Sequence, residues 1–265
     1  MNKIILCAIT IATLLTSCSK SNGTVTEEPN KVEPTVLLTK ITNATPGADN
    51  GKIIAEFTYN GKQLIKAALN KKSDGTFEES HIFNYSSTGQ LTGTTISSGQ
   101  YGYRKADVTY SGTNISTIKF TRYDNTVRGH TLTYQNNRLA TWRMDMGFGI
   151  QVGLEYTYDA NGHNTKRVET EYSSPAKSYT FNYNTFDSKN NLPSALPYWI
   201  YFRTYQVSGI GEVIGSNNPL TGNEDGPAGN YIYTYNSNGY PSKVTTIVGT
   251  REEAYTYEYV EVKYR

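Results

Sequence analysis

One short phrase recurs along this chain and restricts its fold more than any other feature. An apolar or aromatic residue, then Thr or Asn, then Tyr, then a polar turn appears as FTYNG from Phe57, FNYSSTG from Phe83 and VTYSG from Val108. It returns as LTYQN from Leu132, YTYDANG from Tyr156, FNYNT from Phe181 and YTYNSNG from Tyr233. The central tyrosines Tyr59, Tyr85, Tyr110, Tyr134, Tyr158 and Tyr183 follow one another every 24 to 26 residues. Tyr235 comes 52 residues after Tyr183, twice that interval. A fixed period between ~20 and 50 residues marks a repeat architecture. The doubled gap predicts a degenerate copy near residue 209, within 185–230.

Each copy reads as a β-hairpin. Successive side chains of a strand point to opposite faces. Phe57 and Tyr59, or Tyr156 and Tyr158, therefore share one face, and Thr58 or Thr157 takes the other. Aromatic and β-branched residues suit a half-buried pleated surface. In the turn, Asp159 can cap through its carboxylate and Gly162 can adopt positive φ. Returning strands follow, such as Leu139 to Met144 and Lys243 to Val248. The fold class is all-β: a long antiparallel meander of about 14–16 strands, built from hairpin repeats of ~25 residues. So long a sheet must curl or close into a barrel-like form, because twist accumulates and the aromatic face needs cover. No convincing amphipathic helix is visible, and Leu196 to Tyr205 reads as a strand from its aromatic and β-branched content.

The first residues set the destination. Lys3 precedes an apolar run, Ile4 to Leu15, that fits a secretory signal and is too short to span a bilayer. It ends in Leu15-Thr16-Ser17-Cys18, which resembles the lipobox of bacterial lipoproteins. That resemblance implies cleavage before Cys18 and acylation of the Cys18 thiol and amine, since several chains anchor stably where one does not. The expected division is a signal peptide at 1–17, a lipidated cysteine and flexible tether at 18–34, and one β-repeat domain at 35–265. The tether is polar and carries Pro29 and Pro34. Ser19 after the cysteine, by the same resemblance, implies the outer membrane. The signal is equally compatible with its periplasmic face and the cell surface. Once the signal leaves with Cys7, Cys18 is the only thiol, so no disulfide framework or Cys-based metal site is expected. A net charge of +2 argues against a nucleic-acid partner.

The phrase Tyr-x-Tyr-Asp/Asn-x-x-Gly is similar to the YD repeat of RHS-type proteins, with a longer period. The lipobox, tether, tyrosine-rich hairpins and the Asn-rich SNNPLTGNEDG from Ser216 together resemble an uncharacterised family of bacterial lipoproteins with a porin-like β fold. The resemblance implies a fold and no catalytic residue. A barrel crossing lipid needs an apolar outward band. Lys66, Lys119, Arg143, Lys166, Arg167 and Lys243 on the returning strands, and Thr and Asn on the polar face, favour a soluble tethered barrel instead.

Little in the sequence points to a reaction. His81, His130 and His163 form no metal-binding spacing, and no nucleophile elbow, phosphate loop, dinucleotide fingerprint or zincin motif occurs. No enzyme activity, metal or cofactor is expected. Glu155 with Asp159, or Asp124 with Asp145, is the only basis for an alternative, a hydrolase using scattered carboxylates. A long loop, Gly215 to Asn230, and the aromatic run before it are the best candidate ligand site: Tyr198, Trp199, Tyr201 and Tyr205 with Asn223 and Asp225. Flat rings beside amides and a carboxylate suit a sugar, while the same rings could simply plug the rolled sheet. The expected function is a lipid-anchored binding domain for an extracellular glycan or peptide, or an accessory subunit beside an envelope protein. The alternative from another class is a purely structural assembly module engaging a partner through an exposed edge strand.

Overall fold

The computed structural model describes residues 35–47, 49–97, 102–147, 149–173, 175–192, 200 and 215–262. Residues 34–265 form one compact unit. The domain begins with β1 (Thr35–Asn43) and ends with β16 (Arg251–Val262). Between them lie seven hairpins: β2 (Ile53–Asn60) with β3 (Gln63–Lys71), β4 (Phe77–Tyr85) with β5 (Leu91–Ser97), and β6 (Tyr103–Ser111) with β7 (Asn114–Arg122). Next come β8 (Val127–Gln135) with β9 (Arg138–Gly147), β10 (Ile150–Tyr158) with β11 (Asn164–Glu171), and β12 (Lys177–Phe186) with β13 (Pro219–Glu224). The last is β14 (Ala228–Tyr235) with β15 (Pro241–Val248). Every strand pairs antiparallel with its sequence neighbours, and β16 pairs with β1, so the sixteen strands close into a barrel. The expected meander is therefore closed, with no open edge.

The phrase that recurs in the sequence has a definite geometry. At six hairpins the ladder slips beside the central tyrosine: Thr58 faces Lys66 while Tyr59 faces Leu64, and Thr157 faces Lys166 while Tyr158 faces Asn164. Each slip leaves one extra residue on the returning strand, namely Ile65, Thr92, Ser116, Ala140, Thr165 or Ser242. Such a bulge breaks the ladder locally and leaves nearby backbone groups without a strand partner. At four of the six, the next tyrosine along the barrel takes up the carbonyl just before the bulge. Tyr85 donates its hydroxyl to Leu64 O at 2.8 Å, Tyr110 to Leu91 O at 2.9 Å, Tyr158 to Leu139 O at 2.9 Å and Tyr259 to Pro241 O at 2.6 Å. Where the extra residue carries a hydroxyl, it can bond the carbonyl before the tyrosine, as Thr92 does to Asn84 O and Thr165 to Thr157 O.

Closure uses the same device without a turn. Tyr259 faces Leu38 and Glu258 faces Lys40, leaving Thr39 as the extra residue. Thr39 donates to Glu258 O at 3.0 Å, and Tyr59 donates to Leu38 O at 2.8 Å. β16 and β1 are thus the two halves of an eighth hairpin, divided between the ends of the domain. The expected degenerate copy near residue 209 lies outside the described residues. The eighth copy is the C-terminal Tyr257-Glu258-Tyr259. Between β12, which ends at Phe186, and its hairpin partner β13, which begins at Pro219, lies a long connection of which 187–192, 200 and 215–218 are described.

The aromatic face points inward. Phe57, Phe83, Ala106, Leu132, Leu154 and Tyr257 on incoming strands are buried in one cluster with Leu64, Ile96, Ile118, Phe120, Trp142 and Val244 on returning strands. Burying each large apolar side chain is worth about 1.5–3 kcal/mol, so the filled interior is the main source of stability. Leu192 and Ile200, from the long connection, belong to the same cluster. Ile200 is the one described residue of 196–205, and its backbone is helical where the sequence predicts a strand. The outward face is mostly polar: Lys66, Asn84, Lys119, Thr131, Arg143, Glu155, Lys166 and Lys243 are exposed, with Ile82, Ile232 and Val260 exposed among them. Arg167 departs from that expectation. It is buried on the inner side, with its guanidinium 3.9 Å from the Phe181 ring centre.

Candidate functional site at the hairpin rim

The hairpin turns, the start of β1 and the two points where the long connection joins β12 and β13 all lie at one end of the barrel, because consecutive strands alternate in direction. The turn Asp159 to Gly162 meets the long connection there. Asp159 Oδ1 accepts the backbone N–H groups of Asn161 and His163, both at 2.9 Å, and its Oδ2 lies 2.7 Å from His163 Nδ1. Burial pushes the Asp159 carboxyl up, and the hydrogen bonds from His163 and Asn161 outweigh it and hold it below the ordinary carboxylate value. His163 stacks on Phe186, centroids 4.4 Å apart and planes within 9°, and its Nε2 lies 3.1 Å from Asn217 Oδ1. Asn217 is fixed in turn by donating to Lys189 O at 2.9 Å.

A second anchor lies beside it. Asn218, buried at 1 % exposure, donates through Nδ2 to Asn190 O at 2.9 Å and to Asp187 Oδ2 at 3.1 Å. Asp187 also accepts the hydroxyl of Tyr235. In the seventh hairpin a carboxylate thus takes the place of the bulge carbonyl that serves Tyr59, Tyr85, Tyr110, Tyr158 and Tyr259. Burial first, and the neighbouring Asp187 second, push the Tyr235 phenol above its ordinary value. These contacts clamp both ends of the connection onto the rim.

The predicted site residues divide. Tyr198, Trp199, Tyr201, Tyr205 and Cys18 lie outside the described residues. Asn223 and Asp225 are described, and they sit at the far end of β13 from the point where the connection leaves the sheet. Asn182 donates to Asn223 Oδ1 across β12 and β13 at 2.8 Å. Asp225, at φ 47°, exchanges hydrogen bonds with the Thr180 backbone, both at 2.9 Å. The reading of Gly215 to Asn230 as one long loop is corrected: Pro219–Glu224 is β13 and the chain turns at once into β14. Proline at the first strand position and Gly222 within hid that strand. Among the described residues no cluster of His, Cys, Asp and Glu is arranged to hold a metal ion.

The other titratable candidates have structural surroundings. His81 is fully buried on the inner face, with Nε2 2.6 Å from Glu79 Oε1. His130 is buried and accepts Trp142 Nε1–H through Nδ1 at 3.3 Å. Asp124 closes a turn by accepting Thr126 N–H at 2.9 Å, and Asp145 does so for Gly147 N–H at 2.8 Å. Glu155 points outward.

A cleft opens at the rim. A cavity of about 440 Å³ lies between the turn Gln135 to Arg138 and the start of the next turn, Tyr158 to Ala160. The Arg138 guanidinium sits 5.7 Å from the centre of the Tyr158 ring. It passes directly beneath Gly162, where a Cβ would stand 2.8 Å from Arg138 Cζ. Sequence reasoning missed Arg138, Asp187 and Asn218. Arg138 stands where the first three hairpins carry Gln63, Gln90 and Asn114, whereas Asp187 and Asn218 repeat residue types found at their places in other hairpins, Asp159 and Asn114.

With this geometry in view, comparison with known structures is informative about fold. A porin-like protein from Bacteroides uniformis superposes with a TM-score of 0.55 at 14% identity, over 85% of this chain and 95% of that one. A porin-like protein from Bacteroides vulgatus gives a TM-score of 0.53 at 11% identity, over 85% and 99%. No protein-family model and no curated protein matches the chain. The likeness is one of fold, and it agrees with the porin-like β fold implied by the sequence resemblance.

Proposed function

We propose that this chain is a lipid-anchored, non-enzymatic binding protein of the bacterial outer membrane, whose barrel presents a ligand site at its hairpin rim. The observation that carries this reading is the distribution of side chains across the wall. Lipid-spanning barrels turn apolar residues outward and polar ones inward. Here the core cluster lies within, and Lys66, Lys119, Arg143, Glu155 and Lys166 lie without. Such a wall favours water on its outer side and leaves membrane attachment to Cys18. The porin-like relatives and the lipobox support an envelope location. The ligand favoured is a glycan, for which the rim cleft supplies phenol rings and amides. An assembly module joined through an edge strand is disfavoured, because the barrel is closed. An acid-pair hydrolase is disfavoured because Asp124, Asp145 and Asp159 close turns.

Two experiments test it. With Cys18→Ser the precursor should stay unprocessed and fail to incorporate labelled palmitate; normal processing would sink the anchor. Residues 35–265 behind a cleavable secretory signal should then appear in the soluble fraction without detergent. Recovery only in detergent micelles, with conductance in planar bilayers, would establish a spanning barrel instead.

A further inference from the structure

The cleft at the rim holds a guanidinium with no carboxylate partner among the described residues; like Arg143 over Tyr172, it lies over a tyrosine ring. Arg122 and Arg128 lie 3.9 and 3.8 Å from the carboxylates of Asp124 and Asp145, and Arg251 pairs with Glu253. Arg138 makes no ion pair with a described residue, and its aromatic contact is with Tyr158. The repeat shows that its place needs no charge. The residue just before the first core position of the returning strand is Gln63 in the first hairpin, Gln90 in the second and Asn114 in the third. Gln63 lies beneath Gly89 as Arg138 lies beneath Gly162, with Nε2 3.3 Å from where a Cβ would stand. A neutral amide therefore fills the same seat. Asp159 shares the cleft, but its oxygens already accept hydrogen bonds from Asn161 and His163.

We infer that the cleft binds a uronic-acid residue of an acidic polysaccharide, with Arg138 on the sugar carboxylate. The inference rests on the ligand-binding reading above and names the class of ligand. A guanidinium fork matches a carboxylate in two parallel hydrogen bonds, which a point charge cannot do. Gln135 and Asn136 are exposed at the cleft edge, and their amides can both donate to and accept from ring hydroxyls. Tyr156, which packs against the core, borders the cleft and adds ring carbon to its wall. The cavity volume of about 440 Å³ lies in the range of small-ligand sites. An acidic peptide shares the carboxylate but wants a large apolar anchor pocket, and the aliphatic part of this lining is only Ala140 and Ala160, beside amides, phenols, a hydroxyl and two charged groups.

Calorimetry of the 35–265 domain against short oligomers of galacturonate, glucuronate and mannuronate tests this, with neutral galactose and glucose oligomers and triglutamate as comparators. At least one uronate series should bind. Arg138→Gln, which installs the residue of the first hairpin, should weaken that binding at least ~10-fold, with the melting temperature unchanged; a bidentate charged contact is worth that or more. Equal binding of neutral and acidic oligomers, or no effect of Arg138→Gln, overturns the assignment and leaves glycan binding standing. Triglutamate binding as tightly as the uronates overturns the saccharide class. If no saccharide binds at all, both this inference and the glycan reading fall.

Discussion

The hydroxyl of Tyr85 donates to the backbone carbonyl of Leu64 at 2.8 Å, joining two successive hairpins across their boundary. Leu64 precedes the extra residue Ile65, so the bulge made by one repeat is completed by the tyrosine of the next. Tyr85→Phe should cost about 0.5–1.5 kcal/mol for a hydrogen bond, rising toward 3 if the carbonyl is left dry. Tyr59→Phe, which touches the closing strand β1 through Leu38, should cost at least as much. Urea unfolding of both variants checks this, and a loss within error of zero would show that water replaces the phenol.

The same tyrosines set an alkaline limit. Burial pushes the phenols of Tyr59, Tyr85, Tyr110 and Tyr259 above their ordinary value, with neighbouring tyrosines adding to it for Tyr59, Tyr85 and Tyr259. A raised folded-state pKa means the neutral form is favoured in the native state. The stability it provides is fully present below about pH 10, the ordinary phenol value, and is lost as pH climbs beyond it. Absorbance at the phenolate band should show these tyrosines ionising late and together with unfolding. Early ionisation at about pH 10 with an intact fold would contradict their buried role.

Barrel closure leads to a permutation experiment. Thr35 faces Val262 in the β1–β16 ladder, so the ends of the domain are adjacent. Joining them through a short Gly-containing turn and opening the chain between Gly61 and Lys62 should give a folded monomer of similar melting temperature. The eighth hairpin would then gain a covalent turn and the first would lose one. Aggregation of this permutant, with normal folding of the parent, would show that the β2–β3 turn is needed to set register.

Gly93 is held by close approach rather than by a turn. A Cβ there would collide with the carbonyl oxygen of Ala106 and lie 3.2 Å from its carbonyl carbon. Both are backbone atoms of the neighbouring strand and cannot swing aside. Gly93→Ala should therefore destabilise by about 1–3 kcal/mol or more, as overpacking does. Gly129→Ala, with nothing within 4 Å of its Cβ site, serves as the neutral comparison. Thermal melts of the pair decide it; equal midpoints would show that β5 and β6 separate freely.

The chain's own pattern determined most of the architecture. Period-two alternation such as Phe57-Thr58-Tyr59 decides which face is buried whatever lies beyond the hairpin, and the 24-to-26-residue spacing makes hairpins the unit. Those are local properties. What the pattern misjudged was non-local. The eighth tyrosine, Tyr259, was legible as a residue but not as a copy, because its returning strand is β1, at the other end of the domain. Arg167 reads as one more surface cation and is buried, since only the packed interior puts the Phe181 ring beside it. Pro219 to Glu224 reads as loop, and becomes a strand because β12 and β14 offer ladders on both sides. Arg138 looked like any turn residue until the next hairpin placed Gly162 over it and opened a cleft beside it. Alternation is written residue by residue, whereas closure, burial of a charge and the shape of a cleft depend on which distant segments meet, and tertiary packing alone decides that.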